Sequence, residues 1–84
     1  MSITTISKSL KSIEDWAEET GITIDAITSA MGQPVALVYD PMSPHYGQAH
    51  GQAYGVKIGG YPGRLDIDWM SRAEAIHEFA LAIL

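Results

Sequence analysis

The spacing of apolar residues changes once between Gln52 and Leu84, and this change constrains the fold more than any other feature. Apolar residues alternate with polar or small ones from 52 to 58 and again from 64 to 69. A period of two predicts strands with one dry and one wet face. Three glycines and a proline between them, at 59–63, favour a hairpin turn. We therefore predict a hairpin with Val56, Ile58, Leu65 and Ile67 on its dry face and Lys57, Arg64, Asp66 and Asp68 on its wet face.

The residues after this hairpin switch to helical spacing. The predicted apolar stripe consists of Ile76, Phe79, Ala80, Ile83 and Leu84. Ser71 and Glu74 stand three apart just before the stripe, as in a capping box, in which the serine hydroxyl accepts a hydrogen bond from the glutamate amide. The sequence therefore predicts a C-terminal amphipathic helix that covers the dry face of the hairpin, with His77 on the exposed side.

The N-terminal residues 5–20 are also predicted to be helical. Ile6, Leu10, Ile13 and Ala17 share one face, and Gly21 is placed to end the helix in a left-handed conformation. The opposite face carries four acids, which are Glu14, Asp15, Glu18 and Glu19. Like charges four apart weaken a helix, and anions near its C-terminal end oppose the helix dipole. These local costs indicate a partner-binding surface, and the alternative is a solvated face that tolerates them.

Residues 22–31 are predicted to form a second short helix. Thr23 can cap it and Gly32 can end it, while Ile24, Ile27 and Met31 fall on one face. The competing interpretation is a strand, because threonine and isoleucine are mediocre helix formers.

The stretch WAEETGITIDAITSAMG resembles a helix-turn-helix unit. A small residue, a turn glycine and two apolar positions have the appropriate spacing at Ala17, Gly21, Ile22 and Ile27. The resemblance implies a second helix that reads bases in the major groove, for which Arg, Lys, Asn or Gln are the usual side chains. The predicted second helix has no basic residue and follows an acidic one. An αα-hairpin used for packing is the favoured interpretation, and a DNA-binding regulator acting through residues 13–32 is the alternative.

Residues 34–39, PVALVY, predict a strand that is buried on both faces or central in its sheet. The stretch 40–51 that follows contains two prolines and two glycines and is predicted to be a long loop. Long loops in small domains are usually functional or mobile. Met42, His45 and Tyr46 are the loop residues that we predict to contact a protein partner, and a mobile connector is the alternative.

Composition narrows the classes of function. The 84 residues predict one domain, 1–84, and ten acids against five Lys and Arg give a net charge of −5. Such a chain is repelled by phosphate backbones and suits basic protein partners. The chain has no cysteine, no evident secretory signal and no apolar run long enough to span a membrane, so we expect a cytoplasmic location.

No pattern predicts catalysis, a metal site or a cofactor. His45, His50 and Asp40 lack a recognised ligand spacing, and Asp66 with Asp68 is more typical of a wet hairpin face than of acid–base chemistry. The glycines of 55–63 lie between two predicted strands, whereas a phosphate-binding loop lies between a strand and a helix.

These features together predict an α+β domain in the order α-α-β-β-β-α, with a three-stranded antiparallel sheet. An uncovered sheet edge makes a homodimer plausible. We expect a non-enzymatic inhibitor or adaptor that binds a basic surface of a larger protein, for example a host protein that handles nucleic acid. The profile of small size, acidity and no catalytic constellation is similar to that of phage-encoded inhibitors of host machinery, including anti-CRISPR and other anti-defence proteins.

Overall fold

The computed structural model describes residues 3–49, 51–59 and 67–84, with side chains from residue 11 onward. The elements in chain order are α1 (Ile3–Thr20), β1 (Thr23–Ala30), β2 (Gln33–Tyr39), β3 (Tyr54–Ile58) and α2 (Arg72–Ile83). The strands form one antiparallel sheet in the order β1-β2-β3. The α+β class, the three-stranded antiparallel sheet and the C-terminal helix are confirmed, but the described residues contain two helices rather than three.

The segment predicted as a second helix is instead the edge strand β1. Its register against β2 shifts between Ile24 and Ala26, so Asp25 is the extra residue of a β-bulge. The bulge puts Ile24 opposite Val38 and Ile27 opposite Ala36, on the same face of the sheet. Two isoleucines three residues apart therefore share a face, which imitates helical spacing within a strand.

The helix-turn-helix prediction is therefore wrong in its geometry. Its first helix is present, and Gly21 ends α1 with φ of 75°, as predicted. The Ile22 amide donates to the Ala17 carbonyl at 3.1 Å, which closes the helix end. The chain then enters β1 directly, so no second helix is available there to enter a DNA groove.

Strand β2 is central and buried on both faces, as predicted. One face, which includes Ala36 and Val38, packs against α1. Ile13, Trp16 and Ala17 supply the helix side of this core, and Trp16 is fully buried. Because burial of apolar surface is the main stabilising term in folding, this layer anchors α1 to the sheet.

Helix α2 packs against the opposite face of the sheet. Val35 and Leu37 are buried there, and Val56 and Ile58 lie beside the C-terminal half of α2. Helix α2 contacts all three strands. The sheet therefore lies between α1 and α2.

The face of β3 that was predicted to be wet is buried. Lys57 is only 1% exposed, and its Nζ lies 5.3 Å from the centroid of the Trp16 ring. A lysine stem is apolar, and an aromatic ring attracts its ammonium group. These two properties allow Lys57 to be buried between the sheet and α1. Ile58, on the face of β3 that was predicted to be dry, is exposed.

Residues 64–66 of the predicted second hairpin strand, 64–69, lie outside the described residues, and 67–69 do not form a strand. Of the part that is described, Ile67 is buried in the α1 core, and Met70 forms an isolated antiparallel bridge with Tyr54. Because Gly55 has no side chain, Ile67 and Asp68 can pass close to β3. A Cβ added there would collide with the Ile67 side chain and lie 3.2 Å from the Asp68 carbonyl oxygen.

Helix α2 begins as the sequence predicts but faces the sheet differently. The Ser71 hydroxyl accepts from the Glu74 amide at 3.2 Å, and it donates to Glu74 Oε1 at 2.9 Å. The buried contact is Ala75 rather than the predicted stripe. Ile76 and Ile83 are exposed, and Leu84 is 95% exposed. The sequence EFALAIL is apolar on every side, so periodicity does not select one face.

Candidate partner-binding surface

The acidic side of α1 faces solvent because Ile13, Trp16 and Ala17 bury the other side. Glu14, Glu18 and Glu19 are exposed and Asp15 is partly buried. All four predicted acids therefore lie on one solvent-facing surface of the helix, which we call the acidic face.

Asp15 forms an ion pair within α1. Lys11 Nζ lies 3.3 Å from Asp15 Oδ1, one helical turn away, and both side chains remain substantially exposed. Such a pair contributes at most about 1 kcal/mol. No described residue forms an ion pair with Glu14 or Glu18, so these two carboxylates are the most accessible negative charges of the acidic face.

The loop after β2 is built from successive hydrogen-bonded turns over its described part, 40–49. Asp40 is buried, and its carboxylate accepts from the Met42 amide at 3.0 Å. The Ser43 amide donates to the Asp40 carbonyl at 3.0 Å, and the Tyr46 amide donates to the Ser43 carbonyl at 3.1 Å. The Gln48 amide likewise donates to the His45 carbonyl at 3.3 Å. Met42 and His45 are thus exposed on a segment with defined backbone geometry.

Tyr46 is held against the sheet by two other tyrosines. Its ring stacks on Tyr39 with centroids 5.4 Å apart and an interplanar angle of 12°. Tyr54 lies 5.4 Å from Tyr39 and 6.5 Å from Tyr46. Aromatic pairs at these separations contribute beyond simple burial. The stack fixes the loop to the end of β2 and β3 and leaves Tyr46 partly exposed.

The Tyr46 hydroxyl should ionise at a higher pH than an ordinary tyrosine. Its pKa is raised from 10.0 by desolvation first, then by the charges that Tyr39 and Tyr54 acquire, and by a hydrogen bond with Tyr39. The unfolded chain ionises first, so ionisation at this position lowers stability as the pH rises above about 10. Ultraviolet titration of the native protein and of Tyr46→Phe measures this. The variant should lack one tyrosine that ionises above the usual pH range, and loss of a tyrosine that ionises within the usual range contradicts the prediction.

The topology places the C-terminal end of α1 and the loop at the same end of the sheet. Thr23, just after α1, pairs with Tyr39, just before the loop, so Glu18 and Glu19 lie at the same end of the sheet as the loop. The helix and the tyrosine stack lie over opposite faces. The support that Tyr39 and Tyr54 give to the loop was not predicted, although both residues stand at the ends of strands beside the loop.

The described residues give no candidate metal site. They contain no group of three His, Asp or Glu side chains close enough to hold a metal ion. His45 and His77 are both exposed, and His50 is not among the residues that the structure describes. In the described ranges, neither helix has the length and apolar character that crossing a membrane requires.

No family model matches the chain, and comparisons with curated proteins and with solved structures give no match.

Proposed function

We propose that the protein is a non-enzymatic inhibitor or adaptor that binds a basic surface of a larger protein. The contact surface consists of the acidic face of α1 together with Met42, His45 and Tyr46 of the loop. The observation that carries the proposal is the placement of accessible carboxylates and an ordered aromatic loop at the same end of a small domain.

The two parts of the surface supply different components of binding. Carboxylates attract a basic partner over several ångströms, which accelerates encounter and selects the partner by charge. Methionine and tyrosine provide the desolvated contacts that slow dissociation, and both are enriched at interfaces. Because the turns and the stack already order the loop, little conformational entropy is lost on binding.

The experiment is a pull-down of the tagged protein from nuclease-treated lysate, followed by affinity measurement with the captured protein. We expect Glu14→Lys with Glu18→Lys to weaken binding at least about tenfold, since favourable charges become repulsive. Stability should change by less than about 1 kcal/mol because both positions are exposed. The control, Met31→Lys with Gln33→Lys, adds positive charge at the exposed turn between β1 and β2, at the opposite end of the sheet from the loop, and should retain binding.

Two results contradict the proposal. Equal affinity of the Glu14/Glu18 variant and the unchanged protein removes the acidic face from the contact. Equal weakening by both charge variants shows that only net charge matters. A second variant, Met42→Ser with Tyr46→Ser, tests the loop independently and should accelerate dissociation while the net charge stays the same.

A further inference from the structure

A groove runs between α2 and β3 on the sheet face opposite α1. Its volume is about 370 Å³, and its apolar lining consists of Val56, Ile58, Met70, Leu81 and Ala82. Ile58 and Leu81 are each 52% exposed. The surface of the groove is both apolar and polar, and its volume is within the range of pockets that accept side chains of a partner.

In the described part of the chain, the charged residues that line this groove are all acidic. Asp68 and Glu78 line it, and an adjoining depression shares Met70 and Glu78 with it and adds Glu74. Both carboxylate residues of the groove are exposed. Among the residues that the structure describes, no Lys or Arg lines either depression, and Lys57 is buried on the opposite face of the sheet.

From this combination we infer a second binding site, which takes a protein segment with apolar side chains flanked by Lys or Arg. The apolar side chains of the segment would enter between Ile58 and Leu81, and its cations would meet Asp68 and Glu78. An apolar floor with a charged rim of one sign is the usual arrangement for an amphipathic segment of opposite charge. The site is separate from the acidic face of α1 and does not depend on the function proposed for that face.

Charge also argues against a second copy of this chain as the occupant. A two-fold dimer through the groove places the same patch of each copy against its equivalent. Asp68 and Glu78 of one copy would then approach the carboxylates of the other, and like charges across an interface oppose association. The Lys or Arg side chains of a basic segment would instead be attracted by Asp68 and Glu78.

Designed peptides test the site with the full protein. The probe is a short amphipathic peptide of leucine and lysine, and the two comparison peptides replace all lysines with glutamate or all leucines with serine. We expect the leucine–lysine peptide alone to bind, with methyl shifts in the nuclear magnetic resonance spectrum at Val56, Ile58 and Leu81. Asp68→Lys with Glu78→Lys should weaken it by at least about tenfold, whereas Glu14→Lys with Glu18→Lys should weaken it less than about threefold.

Four outcomes overturn the inference. Equal weakening by both charge variants means that the peptide responds to net charge, and equal binding of the serine peptide means that the apolar floor is not used. Absence of binding rejects the site directly. Concentration-dependent self-association in sedimentation, with the same methyl shifts and no peptide present, assigns the groove to a second copy. None of these results bears on the partner of the acidic face, which the lysate experiment identifies separately.

Discussion

Replacing Trp16 with alanine should destabilise the protein by about 3–5 kcal/mol, the range for removing a large aromatic side chain from a core. Trp16 is 0% exposed and packs in the layer between α1 and the sheet. The substitution also removes the ring over which Lys57 Nζ lies. Small domains have only about 5–15 kcal/mol of stability, so this one contact accounts for a large part of it.

Urea or thermal unfolding followed by circular dichroism measures the effect. The melting temperature should fall by at least about 12 °C, as follows from the usual relation for domains of this size. The control is Trp16→Phe, which keeps an aromatic ring. The indole Nε1 is buried and has no hydrogen-bond partner among the described residues, so its removal loses no bond. A Trp16→Ala protein as stable as Trp16→Phe contradicts the placement of α1.

Replacing Gly55 with valine should destabilise the protein by about 1–3 kcal/mol through overpacking. An added Cβ would collide with the Ile67 side chain, and the nearby carbonyl oxygen of Asp68 cannot rotate away as a side chain can. Valine has the higher strand propensity, so propensity alone predicts stabilisation. A loss of unfolding free energy therefore indicates that residues 67 and 68 lie against Gly55, whereas a gain indicates open space beside it.

A double-mutant cycle supplies the control for Gly55. Ile67→Ala removes the methyl group that collides with the added carbon. The cost of Gly55→Ala should therefore be smaller in the Ile67→Ala background than in the unchanged protein, by at least about 0.5 kcal/mol in chemical denaturation. Equal costs in the two backgrounds contradict a direct contact between these positions.

Several elements could be predicted from the sequence because local chemistry determines them. The Ser71–Glu74 box starts α2, Gly21 ends α1, and the apolar run of 34–39 forms the central strand. Each of these signals depends on neighbouring residues, so tertiary contacts did not override it. The exposure of the acidic face follows from the same helical periodicity.

The errors arose where tertiary contacts decide the outcome. The bulge at Asp25 produces an apolar spacing of three within a strand, which periodicity assigns to a helix. The buried Lys57 depends on the Trp16 ring, which lies 41 positions earlier in the chain (57 minus 16). Helix α2 has apolar residues all around, so only packing reveals that Ala75 contacts the sheet.

The candidate site was partly predictable for a related reason. Acidic residues and loop residues can be identified one by one from the sequence. Whether α1 and the loop lie at the same end of the sheet depends on the strand register, which the sequence does not reveal. The groove between β3 and α2 was not predicted, because its residues come from three separate stretches of chain. The sequence also assigned Ile58 to a dry face that the structure leaves partly open.

Carboxyl-group footprinting of the complex with the captured protein partner tests the central claim most directly. A carbodiimide labels exposed acids, and mass spectrometry reads the labelling rate at each one. We expect the partner to slow labelling of Glu14 and Glu18 strongly and to leave Glu78 unchanged, since Glu78 is also exposed but lies on α2, on the other side of the sheet. Unchanged labelling of Glu14 and Glu18 in a saturated complex would contradict a contact through the acidic face of α1.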